Sequence, residues 1–202
     1  MAMLLRIDQD IQDIQKAIAD VISRIDTIHL EYAQAIAQAA KQQILLATFN
    51  FCTQKRPEAF LALSLSERQK LQEALRQTIQ SLSDQMQKTL EECDRESRTN
   101  QESLDLLLSK SLNESMETLN QLFVKHKILS VDDSQAKDDK SAQISIRLTE
   151  IEFTDRQVMS CRGELRVLSA RLTHLHKELE KKNQQRTIAE AELAWRSAWI
   201  EA

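Results

Sequence analysis

The sequence predicts an all-α protein: an elongated antiparallel three-helix coiled-coil bundle with very long helices. Three observations lead there. The chain of 202 residues contains one glycine and one proline, which leaves almost no punctuation for turns. Aromatic residues make up 4% and charged residues 29%, with Leu, Ile, Ala, Gln, Glu, Lys and Arg prominent, as in coiled coils and helical bundles. Apolar residues also recur over long stretches at alternating steps of three and four, the period of a helix face. A core made of such stripes is narrow and encloses no pocket, so small-molecule catalysis is not expected.

The first helix is predicted over about 3–54. Its seam runs through Leu4, Ile7, Ile11, Ile14, Ile18, Val21, Ile25, Ile28, Tyr32, Ala35 and Ala39, and the helix would be about 75 Å long at the α-helical rise. Ile22, Leu30 and Ile36 widen the stripe, so at least two neighbouring helices are expected to cover it. Pro57 ends this helix, because a proline in a helix interior loses a hydrogen bond and clashes with the preceding turn. A short turn or helix follows over 55–64. Ser64-Leu65-Ser66-Glu67 has the form of a capping box, in which the serine caps the new helix and the glutamate reaches back.

The second helix is predicted over 65–128, with a seam through Leu71, Leu75, Ile79, Leu82, Met86, Leu90 and Cys93. The seam fades in ECDRESRTNQES and resumes at Leu104, Leu108, Leu112, Met116, Leu119 and Phe123. Lacking both Gly and Pro, that polar interval is predicted to continue as a weakly packed helix rather than a loop. Residues 129–140, rich in Asp and Ser, read as an acidic loop. A third helix is predicted over 141–200, and the whole chain, 1–202, as one domain folded up-down-up.

This last helix carries two faces. Ile144, Leu148, Ile151 and Val158 lead into Leu165, Leu168, Leu172, Leu175 and Leu179, a stripe expected to face the bundle. Asp155 and Arg162 interrupt it, either as a buried polar layer that fixes register or as side chains that snorkel to the edge. Cys161 on the same stripe reads as a small core residue. Roughly opposite lie Ser160, Gly163, Val167, Ala170 and His174. Small residues in such a row admit close approach by another helix, and a mid-helix glycine costs about 1 kcal/mol relative to alanine, so a packing or binding reason is sought. A tolerated glycine on a solvated face and close packing inside the bundle are the competing explanations. Around EKKNQQR the apolar face changes sides and continues through Ile188, Ala191 and Trp195, with Trp199 beside it. The tryptophans either cover the open end of the bundle or anchor a partner.

Chemistry-bearing patterns are sparse. The formal net charge is −4, yet residues 156–186 hold Arg156, Arg162, Arg166, Arg171, Lys177, Lys181, Lys182 and Arg186 against three glutamates. Such a stretch can meet phosphates or acidic headgroups, although a solvated helix surface paired with the acidic second helix is the commoner explanation. His174 and His176 point about 200° apart on a helix and cannot chelate one metal. Cys52, Cys93 and Cys161 have no metal or disulfide spacing, which favours a reducing compartment. No Gly-rich phosphate loop, nucleophile elbow, secretory leader or membrane span is read.

These features predict a soluble, cytoplasmic, non-catalytic helical scaffold or adaptor without cofactor, metal or small-molecule substrate. It would bind a protein partner, or itself, by helix-helix packing through Ser160, Gly163, Val167, Ala170, His174, Ile188, Trp195 and Trp199. The alternative is a binder of anionic surfaces, membrane lipid or nucleic acid, through the eight basic residues of 156–186.

Overall fold

The computed structural model describes residues 2–93, 101–129 and 143–200, with the side chains of 2, 101, 199 and 200 outside that description. Every regular element among the described residues is helical. Helix α1 spans Ala2–Asn50 and continues into a π-helical turn, Phe51–Lys55; α2 spans Pro57–Ala62, α3 Leu65–Glu91, α4 Gln101–Lys125, α5 Leu148–Thr154 and α6 Arg156–Ile200. The chain divides into two compact units. One comprises Met1–Ile28 and Gly163–Ala202, the other His29–Arg162.

The first unit pairs the beginning of α1 with α6. Arg24 bonds Glu164 at 2.7 Å, Lys182 bonds Asp10 at 2.6 Å, and Arg186 lies 3.4 Å from Asp8. As numbers fall along α1 they rise along α6, so the two helices are antiparallel. Ile7, Ile11, Val21, Ile25 and Ile28 are buried, as are Leu165 and Leu172 of the α6 stripe, while Leu168, Leu175 and Leu179 are half-buried. Exposed ion pairs contribute about 0–1 kcal/mol each, against about 1.5–3 kcal/mol for a fully buried Leu or Ile. Apolar burial therefore holds this pair, and the charges set its register. The bond from Lys182 also holds the Asp10 carboxyl below the usual carboxylate range.

In the second unit α1 is buried over a much wider arc. His29, Tyr32, Ala33, Ala35, Ile36, Ala37, Ala39, Ala40 and Ile44 are all buried, whereas Leu30, predicted to belong to the core stripe, is exposed. The alanines keep α1 slim, so several elements approach it together. Helix α3 runs antiparallel to α1: His29 Nε2 donates to the Leu90 carbonyl at 2.6 Å, Ser83 Oγ to the Ala37 carbonyl at 3.1 Å, and Lys41 Nζ to Gln80 at 2.5 Å. Of the seam predicted for it, Leu71, Leu75, Ile79, Met86 and Leu90 are buried, while Leu82 and Cys93 are half-buried. The Ser64–Glu67 capping box forms as expected: Glu67 N–H donates to Ser64 Oγ at 3.3 Å and Ser64 N–H to Glu67 Oε2 at 2.8 Å.

The continuous helix over 65–128 is not what forms. Helix α3 ends at Glu91, where the Glu92 N–H bonds the Lys88 and Leu90 carbonyls, and α4 packs back against it. Phe123 at the end of α4 meets Phe51 of the π-helical turn that continues α1, with ring centroids 5.0 Å apart, while Asp105 near its start pairs with Arg162, whose guanidinium lies over Tyr32 of α1. Helix α4 is thus parallel to α1 and antiparallel to α3. The reversal falls in the polar interval, of which 94–100 lie outside the described residues. Without an apolar residue to bury there, nothing held one long helix together, and folding back lets Leu104, Leu108, Leu112, Met116, Leu119 and Phe123 share the core that α3 already lines. The predicted acidic loop falls largely on 130–142, also outside the described residues.

The third helix also begins later than 141. Ile144 reaches the core in extended chain, where its N–H and carbonyl bond the Asn120 amide at 3.1 and 3.2 Å. Short α5 follows, and then a break at Asp155, whose backbone is extended. Asp155 Oδ1 accepts from the N–H groups of Gln157 and Val158 at 2.8 and 2.9 Å. It is the N-cap of α6, neither a buried layer nor a snorkelling side chain.

Arg162 is buried, with 5% of its surface exposed. It pairs with Asp105 of α4 and, through Nε at 3.5 Å, with Glu152 of α5. Tyr32 donates to Glu152 at 3.2 Å, and burial pushes its phenol well above the usual tyrosine range. Four elements meet at this layer. The double change Asp105→Ala with Glu152→Ala would leave the buried guanidinium uncompensated, and is expected to lower urea-derived stability by about 3–5 kcal/mol. Arg162→Met, which leaves Asp105 to water and Glu152 to Tyr32, should cost clearly less.

The end of α4 holds the one non-glycine residue with positive φ among the described residues, Lys127 at 62°. Ile128 N–H reaches back to the Phe123 carbonyl at 2.9 Å, the closing bond of a left-handed C-cap that glycine normally occupies. Lys127→Gly should therefore raise stability by about 1 kcal/mol, seen as a higher thermal midpoint; an unchanged or lower midpoint would contradict this account of the cap.

Candidate functional site

Helix α6 begins where Asp155 caps it and passes its Leu stripe to α1, so its opposite side is fixed outward over the paired unit. Gly163, Val167, Ala170, His174 and Ile188 are exposed, as is Trp195 with 67% of its surface accessible. Ser160, which belongs to the other unit, is exposed too. Within the paired unit Gly163, Val167, Ala170, His174, Ile188 and Trp195 lie on one exposed face of α6. For Trp199 the side chain lies outside the description. A Cβ built on Gly163 would meet nothing within 4 Å. Close packing inside the chain, one of the explanations for this glycine, is thereby ruled out among the described residues.

Past Lys182 the apolar seam gives way. Of residues 183–198 only Ala189 is even half-buried. Ile188, Leu193 and Trp195 stand exposed. A shallow hollow between Met3, Ile7 and Asp10 on α1 and Lys182, Ile188 and Glu192 on α6 adjoins this stretch.

The basic residues of 156–186 do not act as one group. Arg162 is spent in the buried layer, Lys182 on Asp10, and Arg186 on Asp8 and Glu190. His174 lies 3.6 Å from Glu178. Arg156, Arg166, Arg171, Lys177 and Lys181 are exposed; at 100° per residue, Lys177 and Lys181 fall on the Gly163 face, whereas Arg171 stands off to its side. Cys161 is buried on the Leu stripe, as expected. No group of three or more His, Cys, Asp or Glu side chains is placed to hold a metal among the described residues.

A second feature escaped the sequence reading. At the end of α1, Leu45, Thr48, Phe49 and Cys52 form one wall of an open groove of about 380 Å³, and Leu71, Gln72, Leu75 and Arg76 of α3 form the other. Phe60 of α2 and Thr53 of the π-turn close it. The floor of Cys52, Leu71 and Leu75 is buried, and burial pushes the Cys52 thiol up to about 11, so it lines the groove as an unreactive apolar group. Leu45 and Phe49, one turn apart, stand exposed at its lip, Phe49 by 61%. The signal was present in ILLATFNF: seam residues Ile44, Phe51 and Cys52 leave Leu45, Leu46 and Phe49 off the buried stripe.

No family model, curated protein or solved structure matches the chain. The exposed glycine gives a direct check on the α6 geometry. Its backbone has no positive φ and a methyl group meets no neighbour, so Gly163→Ala should stabilise the protein by about 0.4–1 kcal/mol through helix propensity alone. A fall in the thermal midpoint would mean that something does approach this backbone.

Proposed function

We propose that this chain is a non-catalytic helical scaffold or adaptor that binds a protein partner, or a second copy of itself, through the outward face of α6. The observation that carries the reading is the exposed Gly163 with open space around it. A glycine in mid-helix costs about 1 kcal/mol, and neither backbone geometry nor packing within the chain gives a reason for it. Close approach by an external helix supplies one. Val167 and Ala170 extend the low surface on either side, and Ile188 and Trp195 continue it as apolar anchors of the kind that dominate binding energy. No described helix is long and apolar enough to cross a membrane, and a cytoplasmic setting is part of the proposal.

Binding of anionic surfaces is the weaker reading, because at least three of the eight basic residues it needs are held in pairs within the chain. Flotation with acidic liposomes and gel shift with nucleic acid, each at two salt concentrations, distinguish it by strong weakening with salt.

The decisive variants are Gly163→Leu and Trp195→Ala. Both positions are exposed, so helicity by circular dichroism should persist. Self-association by sedimentation, or retention of partners copurified from native cells and identified by mass spectrometry, should weaken about ten-fold or more. Association that is unaffected by both changes would rule out this face.

A further inference from the structure

The groove between α1 and α3 is a second and separate surface. We propose that it docks an acidic amphipathic helix of a partner protein, which inserts apolar side chains at i and i+4 spacing between Phe49 and Leu75 and sets carboxylates against Arg68 and Arg76.

Shape and charge both lead to this occupant. The wall from Leu45 to Cys52 covers about two turns of α1, and its two exposed apolar groups, Leu45 and Phe49, are one turn apart. That spacing meets the anchors of a helix lying in a groove. Below them the buried floor of Cys52, Leu71 and Leu75 offers apolar contact without a hydrogen-bonding demand. The exposed apolar surface does not end at the groove: Leu61 and Leu65, next to Phe60 along the chain, stand out to solvent as well. A small ligand has no use for apolar lips of this kind, whereas a protein segment covers them.

The lip supplied by α3 selects the sign of the partner's charge. Positions 68, 72, 76 and 80 fall on one edge of that helix and carry Arg, Gln, Arg and Gln, with no carboxylate among them. Arg68 donates to the carbonyls of Phe60 at 3.2 Å and Leu61 at 2.6 Å and lies 5.6 Å from the centre of the Phe60 ring. Those partners are neutral, so its positive charge persists beside the groove. Arg76 shares one exposed bond with Glu73 at 3.0 Å, a contact that a carboxylate from a docked helix readily replaces. On the opposite lip Leu45, Phe49 and Thr53 are uncharged, and Lys41, one turn before Leu45, bonds Gln80 at 2.5 Å. A second copy of this chain is a poor occupant, since its exposed α6 face carries Lys177 and Lys181 and would set cation against cation.

The test uses the full chain and two synthetic peptides of about 18 residues, long enough to hold a helix. One carries Leu and Phe at i, i+3, i+4 and i+7 with Glu on both flanks, and the other has Lys in place of every Glu. Fluorescence anisotropy should show the acidic peptide binding about ten-fold tighter at low salt, with the difference shrinking as salt is added. Phe49→Glu should weaken it about ten-fold, and Leu45→Gln should weaken it in the same direction by a smaller factor, both with unchanged helicity because the positions are exposed. Arg76→Glu should remove the preference for the acidic peptide. Gly163→Leu should have no effect, which separates this surface from the α6 face.

The proposal is overturned if neither peptide binds, if both bind equally, or if Phe49→Glu and Leu45→Gln leave binding intact. Displacement of the peptide by a fatty acid at lower concentration would reassign the groove to a small apolar ligand. A change in sedimentation of the chain alone on Phe49→Glu would reassign it to a second copy.

Discussion

The described architecture depends on how much of helix α1 is wrapped. Between Ile7 and Ile25 its buried residues occupy a narrow arc, enough for one neighbour; between Ile28 and Ala40 they occupy about two-thirds of the circumference, counted at 100° per residue. The change follows from side-chain size. Ala33, Ala35, Ala37, Ala39 and Ala40 keep that part of the helix slim, and slim helices allow neighbours to approach from several directions without overpacking. One continuous helix can thus contribute to a two-helix pair with its first half and to a many-sided core with its second. The wide arc leaves α3, α4, α5 and the first turns of α6 with a common surface to bury.

A core of Leu, Ile and Ala specifies contact but discriminates poorly between helix registers. In the larger unit that discrimination falls to polar groups placed in the apolar layer. His29 is fully buried and donates to the Leu90 carbonyl, one of the last carbonyls of α3. Cys93 Sγ, 3.3 Å from the same nitrogen, marks where the helix stops. The Arg162 layer acts in the same way on α4 and α5. A slide of α4 by one turn would strip Asp105 from a guanidinium that has no water to replace it, and that penalty exceeds what a slid Leu would lose.

Much of this was legible in the sequence, because burial in helices has a period. The seams read for α1, α3, α4 and α6 are the buried faces, the capping box at Ser64 forms, and the outward position of Gly163 follows from the same counting. The failures have a common cause. Periodicity states which side of a helix is buried and says nothing of where the chain turns when no Gly or Pro marks the place. The seam phase carries from Leu90 to Leu104 across the reversal between α3 and α4, so a helical wheel cannot distinguish one long helix from two folded together. Asp155 was readable as an N-cap, since it precedes α6 by one residue, but its place on the apolar stripe made it look like a core residue. The groove stayed hidden because it is formed by residues from three separate segments, whose proximity is a property of the fold.

The treatment of glycine bears on what the chain is for. The one place where the described backbone adopts a left-handed conformation is filled by Lys127, at a cost, while the only glycine sits in a regular helix where any residue would do. A sequence shaped for stability alone would have these two reversed. Conformation and internal packing therefore leave Gly163 unexplained among the described residues. The α6 face and the α1–α3 groove share no residue and differ in kind: one offers a low backbone surface, the other a floor and apolar lips.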